Sequence, residues 1–249
     1  WHLKENPATD AGTNEIKDST SSATSGTSVN METTDQTTGQ IDGSLTYDGS
    51  NEYTDLGHPA ALDATSAFTL SAWVYATSTP QGPGVISEQF AGGADRVEYE
   101  IGFGIDEGPG GSSKLKVGFF TGAAWATAID TVNVTTGTWV YITGTWDGTT
   151  LRVYKNATEV GTSVPGLATA ADTESISISR RHDTAGSVNY FPGQIDEARI
   201  SNTARTAGWI LTEYRNQNSP STFMGFGGEE VRRRAVPAVY LPAQTAGTA

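Results

Sequence analysis

Apolar and polar residues alternate in short runs along most of the chain. Phe68, Leu70, Ala72 and Val74 alternate with Thr69, Ser71, Trp73 and Tyr75. That period of two predicts a strand with one dry face and a second face bearing aromatics. Over 139–146, Val140 and Ile142 oppose Trp139 and Tyr141 in the same way. Shorter runs at 45–47, 85–90, 97–103, 114–120, 124–129, 151–154, 175–179 and 187–191 read as further strands. Gly, Pro and Asp clusters separate them, notably Gly92-Gly93-Ala94-Asp95 and 106–111. The sum is about a dozen short strands at a spacing of roughly 8–12 residues, which predicts an all-β sandwich or jelly roll. Asp147-Gly148 predicts a primed hairpin turn, because glycine tolerates the positive φ such a turn demands. Asn156-Ala157 stands where Asn-Gly would be easier, and predicts a longer turn.

The stretch 190–201, Tyr190-Phe191-Pro192-Gly193-Gln194-Ile195-Asp196-Glu197-Ala198-Arg199-Ile200-Ser201, anchors the rest. It reads as a Gly/Pro turn feeding a strand, with Ala198 and Ile200 on one face and Glu197 and Arg199 on the other. An Asp beside a Glu there is either an ion-pair anchor or an oxygen donor for a hard cation. Thr206 then caps a short helix whose Trp209, Ile210, Leu211 and Tyr214 form an apolar stripe, ended by 216–220. Residues 1–5 read as an edge strand. Residues 7–43 are Ser/Thr-rich with few large apolar groups and read as a long surface excursion. The sandwich pattern stops near Phe226, so the chain divides into a domain over 1–226 and an extended tail over 227–249. That tail carries the basic cluster Val231-Arg232-Arg233-Arg234 and stays disordered alone unless it docks on the domain or on a neighbouring subunit.

Composition narrows the function. A formal charge of -13 over 249 residues argues against nucleic acid, which selects a basic face. With no cysteine, disulfides, thiolate metal sites and cysteine nucleophiles are all excluded, which points to a bacterial, archaeal or viral source. No apolar run reaches the roughly 20 residues that span a bilayer, so membrane insertion is not expected. The opening Trp1 in place of Met reads as a processed piece. His2, His58 and His182 stand isolated in sequence, and there is no Gly-x-Ser-x-Gly elbow, so zinc and serine chemistry are not expected. Glu98 and Glu100 share a strand face and read as solvated surface carboxylates, with a glycosidase carboxylate pair as the alternative.

The stretch from Phe191 to Arg205, followed by Trp209-Ile210-Leu211-Thr212-Glu213-Tyr214, resembles the C-terminal signature of concanavalin A-like, laminin G-like jelly-roll domains. Leu45 to Leu56, Phe68 to Tyr75 and Thr145 to Asn156 agree with it in order, as does Trp1-His2-Leu3 with Lys17-Asp18-Ser19-Thr20. The resemblance covers residues 1 to about 224 and implies two antiparallel sheets with one short C-terminal helix. Jelly-roll glycosidases carry carboxylates two residues apart on one strand. Gln194 and Ala198 flank Asp196 at that spacing, and neither can serve, so the resemblance implies no enzyme. It does imply Ca²⁺ between the early Asp-Gly turn and the Ile-Asp-Glu strand. Carried onto this chain, the ligands are Asp48 and Asp196, with Gly49, Asn51 and Asp55 as further oxygen donors. It also implies glycan binding, which needs an aromatic platform beside amides or carboxylates. Trp125, beside Gly122-Ala123-Ala124 near a turn, is the first choice, and Tyr190 with Asp183 and Asn189 the second. The expectation is a non-catalytic carbohydrate-binding or adhesion module, secreted or exposed on a cell or particle surface. The alternative is a structural or decoration protein of a virion or filament that docks on a neighbour through 228–249.

Overall fold

In the computed structural model, residues 1–7, 15–63, 66–89, 97–104, 113–121, 125–165, 174–182 and 188–223 are described. The strands are β1 (Thr27–Val29), β2 (Gln36–Thr38), β3 (Gly43–Asp48), β4 (Tyr53–Gly57), β5 (Phe68–Ala76), β6 (Gly84–Gln89), β7 (Val97–Phe103) and β8 (Lys114–Phe120). They continue as β9 (Trp125–Asn133), β10 (Trp139–Trp146), β11 (Leu151–Lys155), β12 (Thr158–Ser163), β13 (Ile176–Ile178), β14 (Arg180–His182), β15 (Val188–Tyr190) and β16 (Pro192–Ser201). Helix α1 (Ala207–Asn218) and a short α2 (Pro220–Phe223) close the described chain.

Two seven-stranded antiparallel sheets face each other, as the strand count predicts. Sheet I runs β1-β4-β13-β6-β7-β8-β9 and sheet II runs β12-β11-β10-β5-β16-β3-β2. The alternation in β5 sets the layers. Phe68, Leu70, Ala72, Val74 and Ala76 turn inward to meet Tyr99, Ile101 and Phe103 of β7 and Leu115, Val117 and Phe119 of β8. Phe68 meets Phe119 edge-on at 6.2 Å, and Phe119 lies 4.8 Å from Trp146, spacings at which aromatic pairs attract. Where Val117 presses on sheet II, position 144 has to be glycine, since a Cβ there would sit 2.4 Å from Val117 Cγ2.

The opposite face of sheet II carries the aromatics that the alternation assigns to it. Trp73, Tyr141 and Tyr154 pack under Ile210 and Tyr214 of α1, and the Trp73 indole N–H donates to Gln217 Oε1 at 2.6 Å. Thr206 caps α1 by accepting the Trp209 N–H at 3.3 Å. The buried stripe is Ile210, Tyr214 and Gln217, at the i, i+4, i+7 spacing of a helix face. Trp209 lies off that stripe and is 52% exposed, contrary to the sequence expectation.

Other local expectations need correction. Residues 1–5 form no strand, because Leu3 takes φ 55°, which breaks an extended run, while its side chain is buried in the core. Asn156 and Ala157 both take positive φ (49° and 62°) and make a tight two-residue turn, with Lys155 paired to Thr158. Asn156 is anchored on Tyr141 by two hydrogen bonds, donating to its carbonyl at 2.8 Å and accepting its N–H at 2.9 Å. At 147–150 the link is longer than two residues. Asp147 Oδ1 accepts the N–H of Thr149 and of Thr150, at 3.0 and 2.7 Å. The excursion before β3 contributes Ile16 and Met31 to the core and the strands β1 and β2. The tail expected over 227–249 lies outside the described residues.

Candidate functional site

The centre of the candidate site is a bulge in β16. Asp196 pairs with Trp73 and Arg199 with Ser71 on β5, so three steps on β16 match two on its neighbour. One residue is therefore extra, and Glu197 absorbs it at φ 52°. A bulge of this kind bends the strand and re-aims side chains, and a non-glycine residue in that region signals a constraint imposed by its surroundings. The shift lets both Ile195 and Ala198 enter the core, while Glu197 and Arg199 serve a network on the outer face.

That network is continuous. Glu197 Oε1 contacts His2 Nδ1, and Glu197 Oε2 accepts from Arg199 Nη2 at 2.5 Å. Arg199 Nη1 donates to Glu213 Oε1 on α1, and Glu213 Oε2 accepts the Tyr141 hydroxyl at 2.6 Å. Burial and the Glu213 charge push the Tyr141 phenol above its ordinary range, so it stays a donor. The Arg199 guanidinium is likewise raised, because the charges of Glu213 and Glu197 outweigh its desolvation. The pair Asp196-Glu197 thus resolves toward the ion-pair reading at Glu197.

Over this network lies a cleft of about 500 Å³. Its floor is Ser71, Glu197, Arg199 and Ser201, and the 18–22 segment forms one wall. The opposite wall is Trp209 and Glu213 of α1 with Arg205, whose guanidinium sits 4.4 Å from the Trp209 ring centre. Ala61 and Leu62 close one side. Asp18 is held within that wall by the N–H of Thr20 (2.8 Å) and of Thr24 (2.9 Å). The cleft therefore offers an exposed indole edge, carboxylates and guanidinium groups on a rigid base. Sequence reasoning assigned Trp209 to the helix core and missed it. The signal was present in the spacing, since Ile210, Tyr214 and Gln217 already complete a stripe that excludes position 209.

The residues expected to bind calcium do not converge. Pro192 of β16 pairs with Asp48, so Asp196 lies four residues, or about 13 Å, further along the strand. Asp48 Oδ1 is committed to its own turn, accepting the N–H of Ser50 at 2.7 Å and of Asn51 at 3.1 Å. Asp55 sits on β4 of the other sheet, where its Oδ1 accepts the Gly57 N–H at 2.8 Å. Asn51 presents its carbonyl to Asn30 Nδ2 at 3.0 Å. Asp196 is fully buried beneath the 39–42 turn, where it accepts the Ile41 N–H at 2.8 Å. Burial pushes its carboxyl up to about 7.

The two expected glycan sites lie on different strands. Trp125 is half-buried on β9, over Gly118 and near Lys116, whose Nζ lies 5.8 Å from its ring. Tyr190 and Asn189 belong to the β14–β15 hairpin, with Tyr190 6.2 Å from Tyr53 of β4. Five strand spacings separate β4 from β9, about 24 Å, so the first and second choices occupy two separate places. Asp183 lies outside the described residues. Glu100, expected at the surface, is instead fully buried. Its carboxylate meets Lys116 at 2.5 Å and Arg181 at 3.2 Å. The Glu98 side chain lies outside the described residues.

A family model described as the concanavalin A-like lectin/glucanases superfamily matches residues 48–211. The chain belongs to this superfamily. Among solved structures, domain 4 of a GH43 extracellular arabinanase from Geobacillus stearothermophilus, in complex with arabinotriose, is similar at TM-score 0.56 and 18% identity. The match covers 71% of this chain and 78% of that domain. The binding domain of botulinum neurotoxin serotype G matches at TM-score 0.56 and 15% identity, covering 82% of this chain and 49% of its own. Botulinum neurotoxin type C, whose cell entry depends on interaction with two ganglioside molecules, matches at 0.53 and 13%, covering 74% and 45%. The chain thus spans about half the length of the two toxin chains. No curated protein sequence matches it. Among the described residues, no helix is long and apolar enough to cross a membrane.

Proposed function

We propose that the chain is a non-catalytic carbohydrate-binding module, acting outside the cell, that takes an oligosaccharide in the cleft between α1, β16 and the 18–22 segment. The observation that carries this is Trp209. It is a large aromatic held 52% exposed at the cleft wall, beside a fixed array of carboxylate and guanidinium groups. Sugar rings present an apolar face to an indole and vicinal hydroxyls to planar charged groups, the combination such pockets use for orientation. The carboxylates argue for binding over hydrolysis. Glu197 and Glu213 both accept from Arg199, so neither is free to donate a proton to a glycosidic oxygen. The similarity to an arabinanase domain solved with arabinotriose supports a glycan as ligand.

The test is a glycan array followed by calorimetric titration of the best ligand, with arabinotriose included, on wild type and Trp209→Ala. A platform tryptophan in the centre of a contact carries at least about tenfold in affinity, and its exposure leaves the fold intact when it is truncated. Saturable binding that Trp209→Ala weakens tenfold or more, with an unchanged melting temperature, is expected. A module that binds no glycan, or binds one equally well after the substitution, overturns the proposal. Repeating the array with calcium and with chelator tests the calcium expectation separately.

A further inference from the structure

We propose that His58, Asp63 and Glu88 form a site for a first-row divalent transition cation, zinc in the first instance. It is independent of the glycan cleft and lies behind its Ala61–Leu62 wall. The topology assembles it. Ile176 of β13 pairs with Gly57 on one side and Glu88 on the other, which brings His58, the next residue after β4, across one strand from Glu88. The 3₁₀ turn Ala60–Leu62 then returns the chain so that Asp63 follows. The Leu62 carbonyl accepts the Tyr99 hydroxyl at 3.1 Å and holds that return in place.

The donor geometry suits a small cation. One ligand atom from each residue lies within 4.8 Å of the other two. His58 Nε2 is 3.0 Å from Asp63 Oδ1 and 3.6 Å from Glu88 Oε1. A tetrahedral ion with bonds of about 2.0–2.1 Å places neighbouring donors roughly 3.3 Å apart, between those two distances. His58 Nε2 and Asp63 Oδ1 are buried, yet their 3.0 Å approach is not a hydrogen bond. Close approach without a hydrogen bond leaves both atoms available to a shared cation.

The donor set selects the metal class. One imidazole and two carboxylates suit zinc and its first-row neighbours, whereas calcium takes six to eight oxygens. Glu88 is fully buried, while the His58 and Asp63 side chains are 22% and 27% exposed. These three residues supply three ligands, and water would supply the fourth. Bound there, it would tie the 58–63 segment to β6 and so stiffen one side of the cleft.

The experiment uses the full chain stripped with chelator and titrated with zinc chloride by calorimetry. Cobalt(II) serves as a spectroscopic substitute, and the melting temperature is read in parallel. One zinc per chain is expected, with a rise in melting temperature and a tetrahedral cobalt absorption. All three should be lost in His58→Gln, whose partly exposed side chain can change without unfolding the chain. Asp63→Asn gives a second, independent loss should Glu88→Gln fail to fold. No saturable zinc binding overturns the proposal, as does zinc binding unchanged in His58→Gln, or stabilisation by calcium with none by zinc.

Discussion

The ion triad Glu100–Lys116–Arg181 is buried in the fold, and Lys116→Met measures what it contributes. Glu100 is fully buried and the Lys116 side chain 3% exposed, with Nζ 2.5 Å from the carboxylate. Methionine keeps lysine's unbranched stem and ends one atom short of the ammonium, so the substitution removes the charge and little volume. What remains is a buried carboxylate with Arg181 alone, itself largely buried, 3.2 Å away. Removing one partner of a buried pair costs about 3–5 kcal/mol where it strands a desolvated charge. With Arg181 still facing Glu100, the lower end of that range is expected. For a chain of this length each kcal/mol lowers the midpoint by about 2–4 °C, so the melting temperature at pH 7 should fall by at least about 6 °C. The pH dependence supplies an internal check. Burial alone raises the Glu100 carboxyl, but Lys116 and Arg181 outweigh it and hold the group below its usual range. A depressed folded value contributes stability above the unfolded pKa of about 4.3. That contribution is lost as pH falls through the folded value. The gap between wild type and Lys116→Met should therefore narrow below about pH 4. The double variant Glu100→Gln/Lys116→Met should lose less than the sum of its singles, because no anion is then left stranded. A Lys116→Met midpoint within about 2 °C of wild type at pH 7 would refute the reasoning.

Two further substitutions probe the backbone and the buried acid. Asn156→Ala removes the acceptor for the Tyr141 N–H and places alanine at φ 49°. The lost bond and the left-handed strain together should cost about 2 kcal/mol, read by urea denaturation, and a loss under about 0.5 kcal/mol would argue against it. Asp196, pushed up to about 7 by burial, works in the opposite sense to Glu100. Its raised folded value favours the neutral form, so its contribution is complete below about pH 4 and is lost as pH rises toward 7. Asp196→Asn cannot ionise, and its unfolding free energy should therefore gain on wild type between about pH 4 and 7, by an amount on the order of a few kcal/mol, and level off above. Parallel curves would show that Asp196 is already ionised in the folded chain at low pH.

The layers of the sandwich were legible because β5 and β10 each carry a complete inward set and a complete outward set at period two. What escaped were features that join distant positions. Glu100 read as a surface residue because Arg181, one of the charges that permit its burial, lies 81 residues away on a hairpin crossing the sheet. His58 read as isolated because Glu88 reaches it only across β13. The calcium expectation placed Asp48 and Asp196 together because the resemblance to laminin G-like jelly rolls implies an ion between the early Asp-Gly turn and the Ile-Asp-Glu strand. Pairing register, which no local pattern states, separates them by four residues. The bulge at Glu197 is a different case. Ile195, Ala198 and Ile200 are the apolar members of β16, and in a regular strand 195 and 198 point to opposite faces. Both can enter one core only if an extra residue intervenes, and Asp196 and Glu197 are the two candidates. A spacing of three inside a run of period two was therefore a readable sign that one of two adjacent carboxylates would be turned out of the ladder, and the cleft floor is built on the one that was.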